Sequence, residues 1–255
     1  MTKRGGEEGT SVDMDSNTIL ITGGASGIGL ALAERFLRAG SQVIVCGRRE
    51  DKLHEAQTRH PRLAIRICDV AEEREREALL RWAVAEFPRL NVLVNNAGIQ
   101  RRVRLATAEE WRETRQEIAI NLEAPIHLSM LFIPHLLKQE RPVIVNVTSG
   151  LAFTPLAGVP IYSATKAALR SFTLSLRHQL SSTPIQVVEI VPPAVKTDLG
   201  GPGLHTFGVA VEEFAEAVMA RLREGDLEIP YGFSVEASRA SKGELDALFM
   251  RLNQP

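Results

Sequence analysis

The stretch that most constrains this chain runs from Asn17 to Gly40. Residues Asn17–Thr22 are a short apolar run ending in glycines, the pattern of a strand buried on both faces. Gly23-Gly24-Ala25-Ser26-Gly27-Ile28-Gly29 follows and leads directly into Leu30–Gly40, whose apolar spacing and terminal glycine mark an amphipathic helix. Strand, glycine-rich turn and helix together form a phosphate cradle. Glycines let the backbone approach a pyrophosphate, and the helix start offers free N–H groups and the positive end of its dipole. Gly23, Ser26, Gly27, Ile28 and Gly29 are therefore candidate dinucleotide contacts. The spacing is Gly-x-x-x-Gly-x-Gly, which alone is as readily a turn; the strand before it and the helix after it favour a dinucleotide.

The alternation continues. Further strands are expected at Gln42–Cys46, Leu63–Cys68, Asn91–Asn95, Pro142–Thr148 and Pro184–Val191, with a short last one at Leu227–Tyr231. Helices are expected at Glu50–Arg59, Glu72–Phe87, near Ala108–Glu113, about Arg115–Leu137, Tyr162–Leu180, Val211–Arg223 and Lys242–Leu252. Strands joined by helices imply a mainly parallel sheet covered on both faces, and no internal domain boundary or repeat is visible. With 255 residues, 24% charged, and a net charge of −1, the chain gives no reason to expect nucleic acid or an anionic membrane as partner. No apolar run is long enough to span a bilayer. Residues 1–16 are Gly- and charge-rich without an apolar core, so we expect a disordered tail and no secretory signal, with Met14 as an alternative start. Cys46 and Cys68 read as buried thiols in a reducing cytoplasm; a redox pair would need a close approach. The six histidines show no metal-site spacing, and no metal is expected.

Cofactor choice is written after the second strand. An NAD-binding unit usually carries an acid there for the adenine ribose, whereas this chain has Gly47-Arg48-Arg49. Arg48 suits a ribose 2′-phosphate, so NADP(H) is preferred over NAD(H); otherwise Arg48 and Arg49 simply open a solvated helix. Asp69-Val70 closes the third strand, where the carboxylate accepts from an adenine amino group, caps the next helix, or does both. Asn95-Asn96-Ala97-Gly98 closes the fourth: small and amide residues line a cofactor without bulk, and Asn side chains tie loops together. Arg101, Arg102 and Arg104 follow on the edge where open α/β sheets bind ligands. They are either a solvated cluster or a receiver for an acidic substrate.

The chemistry points to Tyr162 and Lys166. Four apart on a helix, they share a face. A phenol loses its proton at about pH 10, and a nearby ammonium favours the phenolate, making a proton donor for a carbonyl or an acceptor for an alcohol. Ser149, at the carboxyl end of the fifth strand, is close enough in sequence for a loop to return it to the phenol. Pro125 and Pro134 lie in the long helix that holds Asn121, and a proline there frees a carbonyl and bends the axis. Helices carrying Asn121 and Tyr162 are apolar over more than one face and suit pairing across a two-fold. Residues about 198–210, with several glycines, suit a short substrate loop.

In order, Thr22–Gly29, Asp69, Asn95–Gly98, Asn121, Ser149 and Tyr162-Ser163-Ala164-Thr165-Lys166 resemble the short-chain dehydrogenase/reductase family. The resemblance implies an α/β, single-domain Rossmann-type doubly wound sheet of about seven strands over residues 17–255. It also implies a tetrad: Asn121 supports a proton relay, Ser149 orients the carbonyl, Tyr162 is the acid/base, and Lys166 lowers its pKa and holds the nicotinamide ribose. A homodimer or homotetramer is implied too. Where the family has Pro-Gly after the sixth strand this chain has Pro192-Pro193, so carboxamide contacts fall to the Val195 backbone and Thr197 near Pro192. Pro192–Asp198, Ile229–Ser234 and Ala237–Ser241 resemble a narrower group, the short-chain oxidoreductases named for the D-alanine esterification (Dlt) operon. The reading is an NADPH-dependent carbonyl reductase, or the reverse reaction. Its rivals are an NAD-linked alcohol dehydrogenase and a non-catalytic dinucleotide-binding sensor or scaffold.

Overall fold

Alternate residues of each central strand face opposite sides of the sheet, and the chain fills both sides with apolar groups. In β1 (Thr18–Thr22), Ile19 and Ile21 enter one core and Leu20 the other. The computed structural model describes residues 16–106, 111–201, 203 and 207–254. The tail expected over residues 1–16 lies, but for Ser16, outside them.

Seven parallel strands form one sheet: β1, β2 (Gln42–Gly47), β3 (Ala64–Ile67), β4 (Val92–Asn95), β5 (Val143–Val147), β6 (Gln186–Val191) and β7 (Glu228–Pro230). Their order is β3-β2-β1-β4-β5-β6-β7. The order reverses between β1 and β4, which opens a crevice beyond the carboxyl ends of these strands. One face is covered by α1 (Gly27–Arg38), α2 (Glu50–Arg59) and α7 (Val211–Arg223), with Phe36, Leu53, Phe214 and Met219 in its core. The other carries α3 (Glu73–Glu86), α4 (Trp111–Ile118), α5 (Ala124–Leu136) and α6 (Pro160–Gln179), with Leu79, Phe132 and Leu176 buried there. Two helices, α8 (Phe233–Arg239) and α9 (Lys242–Leu252), follow β7. Among the described residues no helix is long and apolar enough to cross a membrane.

The helices expected near Ala108–Glu113 and Arg115–Leu137 differ from the structure. Residues 107–110 lie outside the described residues. From Trp111 the chain is helical without a break to Leu136, through one π-helical turn at Ala119–Glu123. The inward positions of α4 are Thr114 and Glu117, polar residues that hide its periodicity. Pro125 explains the π turn. It has no N–H to give the Asn121 carbonyl, and the nearest bond widens to Ala124 N–Ala119 O.

Candidate active site

The crevice is built from the ends of β1, β4, β5 and β6. Thr22 closes β1, and its Oγ1 accepts from Asn96 N and Ala97 N, both at 3.0 Å. In return Asn96 Nδ2 donates to Thr22 O at 2.9 Å, which fastens β1 to β4 at the switch point. A Cβ on Gly29 would stand 2.4 Å from that amide nitrogen, so only glycine lets α1 start this close to β4. Gly27 adopts φ +54°, and a Cβ there would meet Thr197 Cγ2 at 3.3 Å. Thr197 therefore faces the glycine turn from the far side. Val195 pairs with Val209, so the expected substrate loop leaves and re-enters on this bridge. Residues 202 and 204–206 of that loop lie outside the described residues.

At the β2 end, Arg49 rather than Arg48 reaches the glycine turn, donating to Ser26 Oγ at 2.7 Å. Arg48 stands 3.7 Å from Asp69. The helix cap expected of Asp69 is not formed. Its Oδ1 accepts from Ala71 N at 3.0 Å, a local turn, and Glu72 occupies the cap position of α3. Val70 is buried, and its carbonyl accepts from Arg76 at 2.8 Å. Asn95 is buried, and its side-chain amide donates to Asn146 Oδ1 at 2.9 Å.

The tetrad candidates converge beyond β5. Ser149 Oγ accepts from Leu151 N at 3.1 Å, and its hydroxyl favours the ionised form of the Tyr162 phenol. Lys166 is 3% exposed, and its Nζ donates to Val147 O at 2.7 Å, 5.7 Å from the Tyr162 ring centre. Asn121 Oδ1 accepts from Ile99 N at 2.9 Å and its Nδ2 donates to Ile99 O at 2.8 Å. A Cβ on Gly98 would lie 3.5 Å from Asn121 Oδ1 and 3.7 Å from Lys166 Nζ, so the three meet at one point. Pro192 O accepts from Gly150 N at 2.9 Å, and holds the β6 exit beside Ser149. Asn253, after α9, bonds Ala157 N and Pro155 O, and so fastens the C-terminal end to the loop between Ser149 and Tyr162.

The pattern of the family described as short chain dehydrogenase matches residues 17–204. An uncharacterized oxidoreductase of Bacillus subtilis, DltE, is 49% identical over 247 residues, 94% of this chain and 98% of that protein. The chain is a short-chain dehydrogenase/reductase. It is also 33% identical to the NADP-dependent 3-hydroxy acid dehydrogenase YdfG of Escherichia coli K12, over 69% of this chain and 72% of that one. Among solved structures it is similar to a short chain dehydrogenase from Burkholderia cenocepacia in complex with NADP. The TM-score is 0.82 and the identity 25%, over 95% of this chain and all of that one.

Two features of this short-chain dehydrogenase/reductase bear on the expected chemistry. Burial pushes Tyr162 up to about 12, although the Ser149 hydroxyl opposes it. The same burial brings Lys166 down to about 8. Arg101, offered as a receiver for an acidic substrate, is engaged with Gln116 Oε1 at 2.7 Å and with the Glu113 carbonyl. A third titratable group near the phenol, Glu117, escaped the sequence reading. Its signal was its place one helical turn before Asn121.

Proposed function

We propose that this enzyme reduces a carbonyl to an alcohol with NADPH, or runs the reverse, with Tyr162 as acid/base. The observation that carries the reading is the convergence of Gly98, Asn121 and Lys166 at one point, with the Lys166 ammonium 5.7 Å from the centre of the Tyr162 ring. When bound, the nicotinamide supplies the hydride. The rest falls to the chain. Tyr162 gives its phenolic proton to the carbonyl oxygen while Ser149 donates a second hydrogen bond, and both hold the developing alkoxide more strongly than the ketone. Lys166 stores a proton behind the phenol, and the Asn121 carbonyl, left without a Pro125 donor, supports the relay.

For the cofactor, the residues fit the group: a glycine turn that side chains would fill, facing Thr197 and flanked by two arginines. Gly23, Ser26, Gly27, Ile28 and Gly29 would hold the pyrophosphate. Arg48, helped by Arg49, would hold the 2′-phosphate, and Asp69 and Val70 the adenine. Ala97, Gly98 and the Asn95 backbone would line the ribose, with Tyr162 and Lys166 on its hydroxyls. Pro192, Val195 and Thr197 would surround the carboxamide. The NADP named for YdfG and for the Burkholderia structure supports this preference over NAD(H). We place the enzyme in the cytoplasm as a homodimer or homotetramer.

An NADPH-oxidation screen over aldehydes, ketones, quinones and oxoacyl thioesters, each with and without an acidic group, tests the reading. Consumption with at least one class is expected. NADPH binding without turnover on any class would favour a sensor.

A further inference from the structure

Helix α6 carries Tyr162, Lys166 and Arg170 on one stripe, each one turn after the last. The proposed chemistry uses the first two and leaves Arg170. Its side chain is 19% exposed; Nη1 donates to Glu189 Oε2 at 2.5 Å and stands 3.4 Å from Glu228 Oε1. Glu189, on β6, is fully buried. Its other oxygen, Oε1, accepts from Thr148 Oγ1 at 2.7 Å, and Thr148 directly precedes Ser149. The Arg170 guanidinium also lies 4.2 Å from the centre of the Phe153 ring, in the loop between Ser149 and Tyr162. One turn back along α6, Lys166 Nζ holds Val147 O at 2.7 Å. Arg170 thus gathers β6, β7 and the loop after Ser149 onto the helix that bears Tyr162. A buried carboxylate and guanidinium are a costly way to hold elements together, and apolar side chains of similar size often stabilise a fold as well or better. What the pair adds is direction, because a guanidinium accepts its partners only along fixed N–H bonds and on its flat face.

We propose that Arg170 and Glu189 are positioning residues for the carbonyl reaction: the pair fixes where α6 stands over the end of β5, and so where Tyr162 stands relative to Ser149. The inference rests on the acid/base reading of Tyr162. In the step concerned the phenol O–H bond breaks, the carbonyl oxygen gains the proton, and the carbonyl carbon gains the hydride. Neither Arg170 nor Glu189 exchanges a proton in it. Ser149 reaches the site from β5 and Tyr162 from α6, two elements that no covalent bond holds in register. Glu189 is bonded to both, through Thr148 to β5 and through Arg170 to α6. Proton transfer needs both hydroxyls within hydrogen-bond reach of one oxygen, and a displacement of about 1 Å costs on the order of 10²-fold in rate. The glycine turn after β1 and the arginines after β2 are separated from β6 by two or more strands, so the pair leaves that end of the cofactor site alone.

Replacing both partners, Arg170→Met with Glu189→Met, separates position from stability. The double variant buries no unpaired charge: Glu228 is partly exposed to water, and the Thr148 hydroxyl keeps the Ile190 carbonyl, 3.3 Å away, as an acceptor. Its melting temperature and NADPH affinity should stay close to those of the wild type. Its kcat on the most active carbonyl of the NADPH screen should fall by about tenfold or more. A pair that served only the fold would change the melting temperature and leave kcat alone, and wild-type kcat in the double variant overturns the inference. A second readout needs no substrate. The chain has two tyrosines, Tyr162 and Tyr231, so with 13Cζ-labelled tyrosine in a Tyr231→Phe background the one remaining resonance reports Tyr162. With NADP bound, that line should shift or broaden in the double variant, and an unchanged line again counts against the pair. Arg170→Lys keeps the charge opposite Glu189 but loses the flat face against Phe153. Its kcat should be intermediate, and wild-type kcat there overturns the inference even if the double variant does not fold. If Tyr162→Phe retained turnover, the acid/base reading would fail instead. If Tyr162→Phe is inactive and the Arg170 variants keep full turnover, the present inference fails alone.

Discussion

Arg48 and Arg49 leave β2 together but reach different things: Arg49 bonds Ser26 in the glycine turn, and Arg48 leans on Asp69 at a distance too long for a strong pair. A 2′-phosphate between them would take a charge-assisted bond from each. Such bonds contribute about 1.5–3 kcal/mol, so Arg48→Ala should raise the NADPH KM by roughly tenfold or more and move the NADH value little. Equal changes for the two cofactors would contradict the assignment. Glu117 supplies a second prediction at this scale. Its folded pKa of about 7 lies above the ordinary 4.5, so the folded state holds the proton more tightly. That contribution is fully present below about pH 4.5 and is lost as pH rises through 7. Relative to Glu117→Gln, the wild-type chain should lose about 3 kcal/mol over that window. Thermal unfolding midpoints of the two proteins at pH 5 and pH 8 would reveal it, and parallel curves would refute it. Tyr162 and Lys166 were legible in sequence as neighbours because helix geometry fixes a four-residue spacing. Their protonation was not, because burial shifts both groups and burial belongs to the whole fold.

Elements differ in how plainly sequence announces them. The central strands are runs of Ile, Leu and Val bounded by turn residues, and they stand within a residue or two of their expected limits. Packing from both faces leaves such runs no other use. Between α4 and α5 the sequence misleads, since Thr114 and Glu117 face inward and Pro125 reads as a break. The structure instead carries the helix through a π turn that leaves Asn121 without its ordinary bond from residue 125. Pro125→Ala restores that N–H and should let the turn relax towards regular α-helix. Turnover should fall by about tenfold or more while the melting temperature holds or rises, because a small misplacement at a reacting centre is expensive. Steady-state kinetics alongside circular-dichroism melting would separate the effects, and unchanged kcat would count against a role for the turn.

On the scale of the molecule, the crevice collects its groups from the ends of four strands and from helices on both faces of the sheet. Met130 on α5, Leu137 just after it and Leu174 on α6 remain exposed, apolar groups that suit contact with a second copy of the chain. Sedimentation at micromolar concentration should give a dimer or tetramer, weakened by Met130→Glu; a monomer in the unmodified protein would contradict this. The account as a whole turns on whether that crevice performs acid/base chemistry on a carbonyl. The sharpest measurement compares Tyr162→Phe with the wild type, reading NADPH affinity by fluorescence and NADPH consumption by absorbance on the same preparation. Affinity should stay within a few-fold while turnover drops by about 10²–10⁴. Loss of NADPH binding with the chemistry intact would contradict the account.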